Sequence, residues 1–171
     1  VKSSATSYGA QSISGAKDSP GSTIVAESPD TVTTGSLSTN GANLTIKDIT
    51  VDVGLSGKGG WSTGSNVTAI NLKIHGGEPS ANIQGVTDVT WDGGELGQSS
   101  GGAKARDFCN GSDQPVTIAS ASVIKVKHVT FWPQATGTNN ACNHMENFRT
   151  DGTSATPTND ILLDGNFFKP G

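Results

Sequence analysis

The stretch Asn43-Leu-Thr-Ile-Lys-Asp-Ile-Thr-Val51 decides the fold, because its pattern returns four more times along the chain. The later copies begin at Asn66, Asp88, Val123 and Asp160, so that successive starts are 23, 22, 35 and 37 residues apart. The two longer intervals fit one repeat plus an inserted loop of about 13 to 15 residues. A repeat of this length is typical of a solenoid, in which one short unit stacks upon the next.

Each copy predicts two short strands joined by a bend. Apolar and polar residues alternate within each half, as in a half-buried strand. The alternation slips by one residue between the halves, so the chain must turn there to keep both apolar sets inside. Every copy has a residue that tolerates a left-handed backbone at this bend: Asp48, Asn71, Gly93, His128 and Gly165. This backbone requirement explains Asp48 and His128 better than metal ligation does.

The alternation also predicts which side chains point inward. Period-2 spacing places them on one face of each strand, where they stack from one copy to the next. The expected inward residues are Leu44, Ile46, Val67, Ala69, Val89, Trp91, Ile124, Val126, Ile161 and Leu163 in the first strands, and Ile49, Val51, Leu72, Ile74, Gly94, Leu96, Val129, Phe131, Asn166 and Phe168 in the second.

A third strand precedes each pair. Its inward residue lies five or six positions before the copy starts in four cases, and we expect Phe148 to take the same role in the fifth. The pattern therefore predicts an all-β, right-handed parallel β-helix with three strands per coil and about six coils of about 22 residues. Antiparallel hairpins are the alternative, but they favour two-residue Asn-Gly loops. The four aligned residues are Leu37, Trp61, Ile83 and Ile118.

The composition and the net charge limit the classes of protein to which this chain can belong. The chain has 171 residues, of which 32% are hydrophobic, and a formal net charge of −4. We expect residues 19–171 to form one β-helix domain, with residues 1–18 as an extension that pairs with a neighbouring molecule or packs along its own rod. Because no basic stripe and no apolar run of 18 residues occur, we expect neither nucleic-acid binding nor membrane insertion.

The cysteines and the first residue bear on location. Cys109 and Cys142 lie in loop sequence rich in Gly and Asn, and we expect a disulfide between them, free thiols being the alternative. A disulfide implies an exported protein, secreted or at the cell surface. The chain begins at Val1 and carries no signal peptide, which fits a processed mature protein or an expressed segment.

The coil pattern resembles the pectate-lyase-like superfamily, and more closely its secreted bacterial β-helix repeat proteins. The resemblance covers residues 19–171. It is carried by Ser19-Pro-Gly-Ser-Thr-Ile-Val25, by Gly59-Gly-Trp-Ser-Thr-Gly-Ser-Asn-Val-Thr68 and by Asn143-His-Met-Glu-Asn-Phe-Arg149. It is specific for the fold and weak for activity, because that superfamily includes lyases, hydrolases, adhesins and fibres.

The resemblance implies that a substrate would lie along the third strands and the loops that lead into them, here residues 97–115 and 132–144. A sugar-acid site there would pair Arg with carboxylates and use His or Glu for proton transfer. Loop salt bridges and turn caps are the alternative interpretation. The catalytic candidates are His144, Glu146 and Arg149, and the ligand-binding candidates are Arg106, Asp107, Asp113, Arg149 and Asp151.

Departures from the superfamily's enzymes favour a protein without catalysis. The polygalacturonase motifs Asn-x-Asp, Asp-Asp and Gly-His-Gly are missing, as are the Asp-His and Arg-x-Pro-x-x-Arg motifs of pectate lyases. No acidic cluster suggests a calcium site, and we expect no cofactor and no metal. We therefore expect a structural or adhesive extracellular protein whose copies assemble end to end into filaments. A polysaccharide lyase, glycoside hydrolase or binding protein for an acidic polysaccharide is the alternative.

Overall fold

The computed structural model describes residues 2, 8–15, 21–28, 32–41, 43–54, 59–76, 80–97, 116–132 and 148–169. These ranges form an all-β structure without helices, so none of them contains a helix that is long and apolar enough to cross a membrane. Its strands are β1 (Gln11–Ser14), β2 (Ser22–Val25), β3 (Val32–Thr34), β4 (Leu37–Asn40), β5 (Leu44–Lys47), β6 (Ile49–Gly54), β7 (Trp61–Thr63), β8 (Val67–Gly76), β9 (Ala81–Gln84), β10 (Thr87–Leu96), β11 (Val116–Ala119), β12 (Ser122–Lys127), β13 (Thr130–Phe131), β14 (Phe148–Asp151), β15 (Asn159–Asp164) and β16 (Phe167–Phe168).

Two parallel sheets contain these strands. One sheet has the order β1-β4-β7-β9-β11-β14, so that strands adjacent in space are separated along the chain by strands of the other sheet. The second sheet has the order β15-β12-β10-β8-β5-β2. The strands β3, β6, β13 and β16 join it through the second halves of β8 and β10. Parallel strands need such long connections, and here the other sheet provides them.

The predicted left-handed bend is confirmed in all five copies. The backbone φ angles are 58° at Asp48, 50° at Asn71, 76° at Gly93, 55° at His128 and 61° at Gly165. In β8 and β10 the bend occurs within one continuous strand, so the first and second halves of each face different directions. This bend lets both apolar sets of a copy point into the same interior.

A second row of left-handed residues lies at the first position of every copy, which the sequence did not predict. Asn43, Asn66, Asp88, Val123 and Asp160 have φ angles of 56°, 57°, 57°, 57° and 51°. Asn and Asp adopt this conformation at low cost, because their short polar side chains bond to nearby backbone. Val123 is the exception, since a β-branched residue is strained there. The row is thus a second corner of the chain.

The predicted interior is confirmed over most of its length. Inward residues of the first and second strands from Leu44 to Phe131 are buried except Gly94, which is half-buried; Ile46, Ala69, Trp91 and Val126 are each at 0% exposure. Asn166 occupies an inward position as predicted. Its amide meets backbone groups there, since Nδ2 donates to the carbonyl of Val126 at 2.8 Å.

An aromatic column runs through this interior. Its members are Trp61, Trp91, Phe131 and Phe168, whose successive ring centroids are 5.8, 6.1 and 4.7 Å apart. The first two contacts are edge-to-face and the last is stacked, which are the favoured aromatic geometries. Both buried indoles have partners: Trp61 Nε1 donates to Thr39 Oγ1 at 3.0 Å, and Trp91 Nε1 to the carbonyl of Leu72 at 3.3 Å.

The predicted third strand is confirmed, and its four aligned residues are all buried, but Ile83 and Ile118 are not equivalent in register to Leu37 and Trp61. The register pairs Leu37 with Trp61, Trp61 with Ala81, and Ala81 with Val116. Ile83 and Ile118 lie two positions further along and are also buried. This difference in register arises from turn length, because Ala81 precedes the next copy by two residues more than Trp61 does.

The two outermost parts of the described structure differ in exposure. Near the start, β1 pairs in parallel with β4 of the same chain, and the Tyr8 amide donates to the Thr33 carbonyl at 3.0 Å. At β15 and β16, apolar side chains are exposed although their positions face inward or flank the interior. Each of these strands has one neighbour among the described strands. The exposed residues are Leu162 (47%), Leu163 (48%), Phe167 (54%) and Phe168 (46%).

Candidate functional site

Most of the predicted site lies outside the described residues. Arg149 and Asp151 are described, and both lie on β14. Arg149 Nε is 2.6 Å from Asp151 Oδ2, so the guanidinium is already paired with a carboxylate on its own strand. The sugar-acid role of this pair therefore stays a prediction. The residues outside the described ranges are Arg106, Asp107, Asp113, His144 and Glu146, together with Cys109 and Cys142 of the expected disulfide.

A different group of polar and aromatic side chains lies on the outside of the second strands. We call it the Trp132 patch and define it as His75, Glu95, Trp132, Phe167 and Lys169. Its members come from β8, β10 and β16 and from the residues directly after β13 and β16. Neighbouring strands bring them together although they are far apart along the chain.

The register explains how the patch forms. Ile74 pairs with Leu96 on the neighbouring strand, and Leu96 pairs with Phe131 on the next one. The residues that directly follow these three are His75, Gly97 and Trp132. Gly97 has no side chain, which leaves room between the imidazole and the indole. Glu95 lies two residues before Gly97, on the same face of β10, and its carboxylate fills this room.

Glu95 holds both neighbours. Its Oε1 is 3.1 Å from Nε2 of His75, and its Oε2 accepts a hydrogen bond from Trp132 Nε1 at 2.6 Å. The side chains of His75 and Glu95 are 17% and 22% exposed. Because both carboxylate oxygens already have partners, Glu95 is suited to orient the indole and the imidazole. A general acid or base would need a free oxygen facing its substrate.

Lys169 lies over two rings of the patch. Its ammonium nitrogen is 5.0 Å from the centroid of Trp132 and 4.7 Å from the centroid of Phe167. Both distances are within the range of a cation–π interaction, for which the limit is about 6 Å. The patch therefore combines a held indole, an exposed phenyl ring and an ammonium group.

A second polar cluster lies beside the left-handed bend. Oδ1 of Asp92 is 2.8 Å from Nδ1 of His128, and Oδ2 is 3.0 Å from the Lys127 ammonium. The hydrogen bond from His128, followed by that from Lys127, lowers the pKa of Asp92 below its usual value. His128 thus has two roles, because its backbone makes the bend and its side chain ties one strand to the next.

A shallow polar groove of about 230 Å³ lies along the other corner. Its lining alternates amide, hydroxyl and carboxylate groups from three neighbouring strands. Among the described residues, no group of three or more His, Cys, Asp or Glu side chains is arranged to hold a metal ion. The groove is lined by Asn43, Leu44, Thr45, Asn66, Thr68 and Asp88.

Sequence reasoning missed the Trp132 patch, although a signal for it was present. His75, Trp132 and Lys169 each follow the last inward residue of their copy, and Glu95 lies between two inward positions. Aligning the outward positions of the copies would have placed these side chains side by side. The predicted site came instead from the loops, where polar residues are conspicuous in the sequence.

Comparison of the chain with family models, with curated proteins and with solved structures finds no match. The resemblance to the pectate-lyase-like superfamily therefore stays a prediction. The Trp132 patch is an aromatic surface flanked by hydrogen-bonding and charged groups, which suits binding of an amphipathic ligand.

Proposed function

We propose that the chain is a right-handed parallel β-helix of six coils with three strands each. Six successive sets of strands support this proposal, since each strand pairs with its counterpart in the next set. Four sets have three strands, and in the other two the second and third strands are the two halves of the bent β8 or β10. The two left-handed corners separate the strands of a set and recur at the same positions. The right hand follows the strong preference of parallel crossover connections.

We propose further that this helix is a non-catalytic, extracellular adhesive protein that binds glycans through the Trp132 patch. The observation that carries the proposal is the partly exposed indole of Trp132, whose N–H is held by Glu95. A sugar ring has one apolar face that can lie on an aromatic ring, and hydroxyl groups that need polar partners at its rim. The imidazole of His75 supplies such a partner beside the indole.

The absence of catalysis in this proposal is supported by the engaged state of the charged groups. Both oxygens of Glu95, both oxygens of Asp92 and the guanidinium of Arg149 have partners in the described structure. Such groups position neighbours well, but proton transfer would require them to exchange these partners for a substrate.

Glycan binding is tested by affinity electrophoresis through gels that contain one soluble polysaccharide each. We expect migration of the wild-type chain to be slowed by at least one polysaccharide, and Trp132→Ala to abolish this retardation. Tyr8→Ala is the matched control, because Tyr8 is also an exposed aromatic residue, at 42%, but lies away from the patch. Equal retardation of wild type and Trp132→Ala would contradict the proposal.

The non-catalytic part is tested by incubating the protein with polyuronides and neutral polysaccharides. A lyase would create an unsaturated product that absorbs in the ultraviolet, and a hydrolase would create new reducing ends. We expect neither signal to rise above that of a heat-treated sample. A rise that depends on Arg149 or His144 would establish the enzymatic alternative.

We also propose that copies of the chain associate end to end, as a structural protein would. The supporting observation is the exposed apolar group on β15 and β16, which includes Leu163 and Phe168. Strands β1 to β3 of a second copy would continue both parallel sheets and cover the inward-facing Leu163 and Phe168, whereas Phe167 would stay on the outer face. Sedimentation velocity should then show oligomers that Leu163→Lys disrupts and Ser62→Lys does not, because Ser62 is exposed on β7 in the middle of its sheet. Electron microscopy of the pure protein should show linear polymers. A monodisperse monomer at high concentration would contradict the association.

A further inference from the structure

Lys169 and the two rings beneath it form a cation-binding arrangement within the Trp132 patch. The ammonium lies 5.0 Å from the ring of Trp132 and 4.7 Å from that of Phe167. A ring pair that holds an ammonium of the same chain has the spacing to hold another ammonium in its place. The arrangement thus indicates that a ligand bound there would carry a positive charge.

The ring pair is both held and accessible. The Trp132 indole is fixed at its edge by the 2.6 Å hydrogen bond to Glu95, so one wall of the pair is oriented before a ligand arrives. Phe167 is 54% exposed, which leaves the other wall open to solvent. The Glu95 carboxylate at the edge of the indole also contributes negative charge to the surroundings of the pair.

We propose that the Trp132–Phe167 ring pair binds the ammonium group of a ligand, and that Lys169 is the internal competitor for this position. The inference rests on the proposed function, because it names the charged group of the ligand that the patch binds. An organic ammonium of this kind occurs in the free amino sugars of a deacetylated glycan and in quaternary ammonium headgroups. Both share the cation that the rings recognise.

The effect of removing Lys169 separates this proposal from recognition of an acidic sugar. If the ligand is cationic, Lys169→Ala removes a competitor and strengthens binding. If the ligand is an acidic sugar, Lys169 is its ion-pair partner and the same substitution weakens binding. The two ligand chemistries therefore predict changes of opposite sign in one variant.

Tryptophan fluorescence offers a direct readout. Trp61 and Trp91 are each 0% exposed, so a quencher or ligand that acts from solvent reports on Trp132. We would titrate wild type and Lys169→Ala with choline and with glucosamine oligomers. The neutral analogues are 3,3-dimethylbutanol for choline and the N-acetylated oligomers for the amino sugars, and polygalacturonate oligomers are the acidic arm. Lys47→Ala serves as the matched lysine control, because Lys47 is exposed on β5.

We expect Lys169→Ala to bind at least one of the two cations about two- to fivefold more tightly than wild type, which is the size of one exposed cation–π contact. The neutral analogues should bind more weakly, and Lys47→Ala should behave as wild type. Whichever of choline and the amino-sugar oligomer shows this gain identifies the source of the ammonium. Thermal unfolding of each variant checks that the fold is retained.

The outcomes that overturn the inference differ from those that overturn the proposed function. Three outcomes would overturn the ammonium site and leave glycan binding in place. They are equal binding of cationic and neutral ligands, no increase in cation affinity on Lys169→Ala, and weaker binding of Lys169→Ala together with a preference for polygalacturonate. If no glycan binds, the proposed function fails, and the choline titration alone then decides whether the ring pair recognises an ammonium.

Discussion

The aromatic column inside the protein and the Trp132 patch outside it use the same register in opposite ways. The column stacks Trp61, Trp91, Phe131 and Phe168 on the inward side, where the two indoles are buried and bonded to groups of the interior. The patch places Trp132 one residue beyond Phe131, on the outward side. A change of one position along the chain therefore moves an aromatic ring from stabilising the fold to presenting a surface.

The largest effect should come from removing the middle of the column. Trp91→Ala would leave a cavity between Trp61 and Phe131, and we expect it to lower the free energy of unfolding by about 3–5 kcal/mol. Chemical denaturation followed by circular dichroism measures this loss. Trp132→Ala should cost less than about 1 kcal/mol, because its ring is partly exposed. Similar losses of unfolding free energy in the two variants would show that the column and the patch contribute equally to stability, which would contradict this prediction.

A smaller loss of stability is expected from a side chain added at Gly94, where the backbones of β10 and β8 lie close together. Gly94 has φ of 97°, and a Cβ there would lie 2.1 Å from the carbonyl oxygen of Leu72. We expect Gly94→Ala to destabilise the protein by about 2 kcal/mol or more, from the left-handed backbone and the clash together. Gly93→Ala is the control, since φ is 76° and the nearest atom is 3.8 Å away. Gly93→Ala should cost about 1 kcal/mol, so the melting temperature of Gly94→Ala should be clearly lower than that of Gly93→Ala.

The second corner offers a stabilising change. Val123 has φ of 57° and is 37% exposed, whereas Asn or Asp fills this place in the other four copies. We expect Val123→Asn to raise the free energy of unfolding by about 1 kcal/mol, because Asn tolerates the left-handed backbone. Asp88→Val should produce the opposite change at the equivalent position. A stabilised Asp88→Val variant would show that the corner does not demand these residue types.

The smallest effect concerns the Asp92 cluster. Since the pKa of Asp92 is lowered in the folded protein, its ionised form stabilises the fold above the unfolded pKa of about 3.9, and this contribution is lost as the pH falls through the folded value. The carboxylate is 35% exposed, so solvent screening limits the contribution to a few tenths of a kcal/mol. Asp92→Asn should remove this pH dependence below about pH 4, and added salt should weaken it in wild type. Identical acid titrations of stability for wild type and Asp92→Asn would contradict it.

The sequence predicted the inward rows and one corner because both follow from local patterns. Alternation identified Leu44 to Phe131 as interior, and the slip in alternation located the bend at Asn71 and its equivalents. The second corner was missed because its residues begin each copy, where no slip marks them. Ile83 was misaligned because turn length between strands varies by two residues, which local alternation cannot detect.

The candidate site was harder to predict because it depends on which strands are neighbours. His75, Glu95 and Trp132 form no local motif, and their contacts arise only when three strands are paired in register. Their mutual hydrogen bonds also depend on Gly97, which matters because it has no side chain. The loop residues suggested by the superfamily resemblance lie outside the described structure, so they neither support nor oppose the patch.

The large sequence separation between Glu95 and its two partners determines how this surface can change during evolution. Glu95 reaches His75 across 20 residues of sequence and Trp132 across 37, yet both partners lie on adjacent strands about 4.8 Å away. Insertions between strands can therefore accumulate without disturbing the patch, whereas a single-residue deletion inside β10 would exchange its two faces. Duplication of a whole repeat would lengthen this outer face by one strand while both corners stay in phase. The outer surface is thus free to vary in length and in chemistry, while the interior continues to require apolar residues at the same positions.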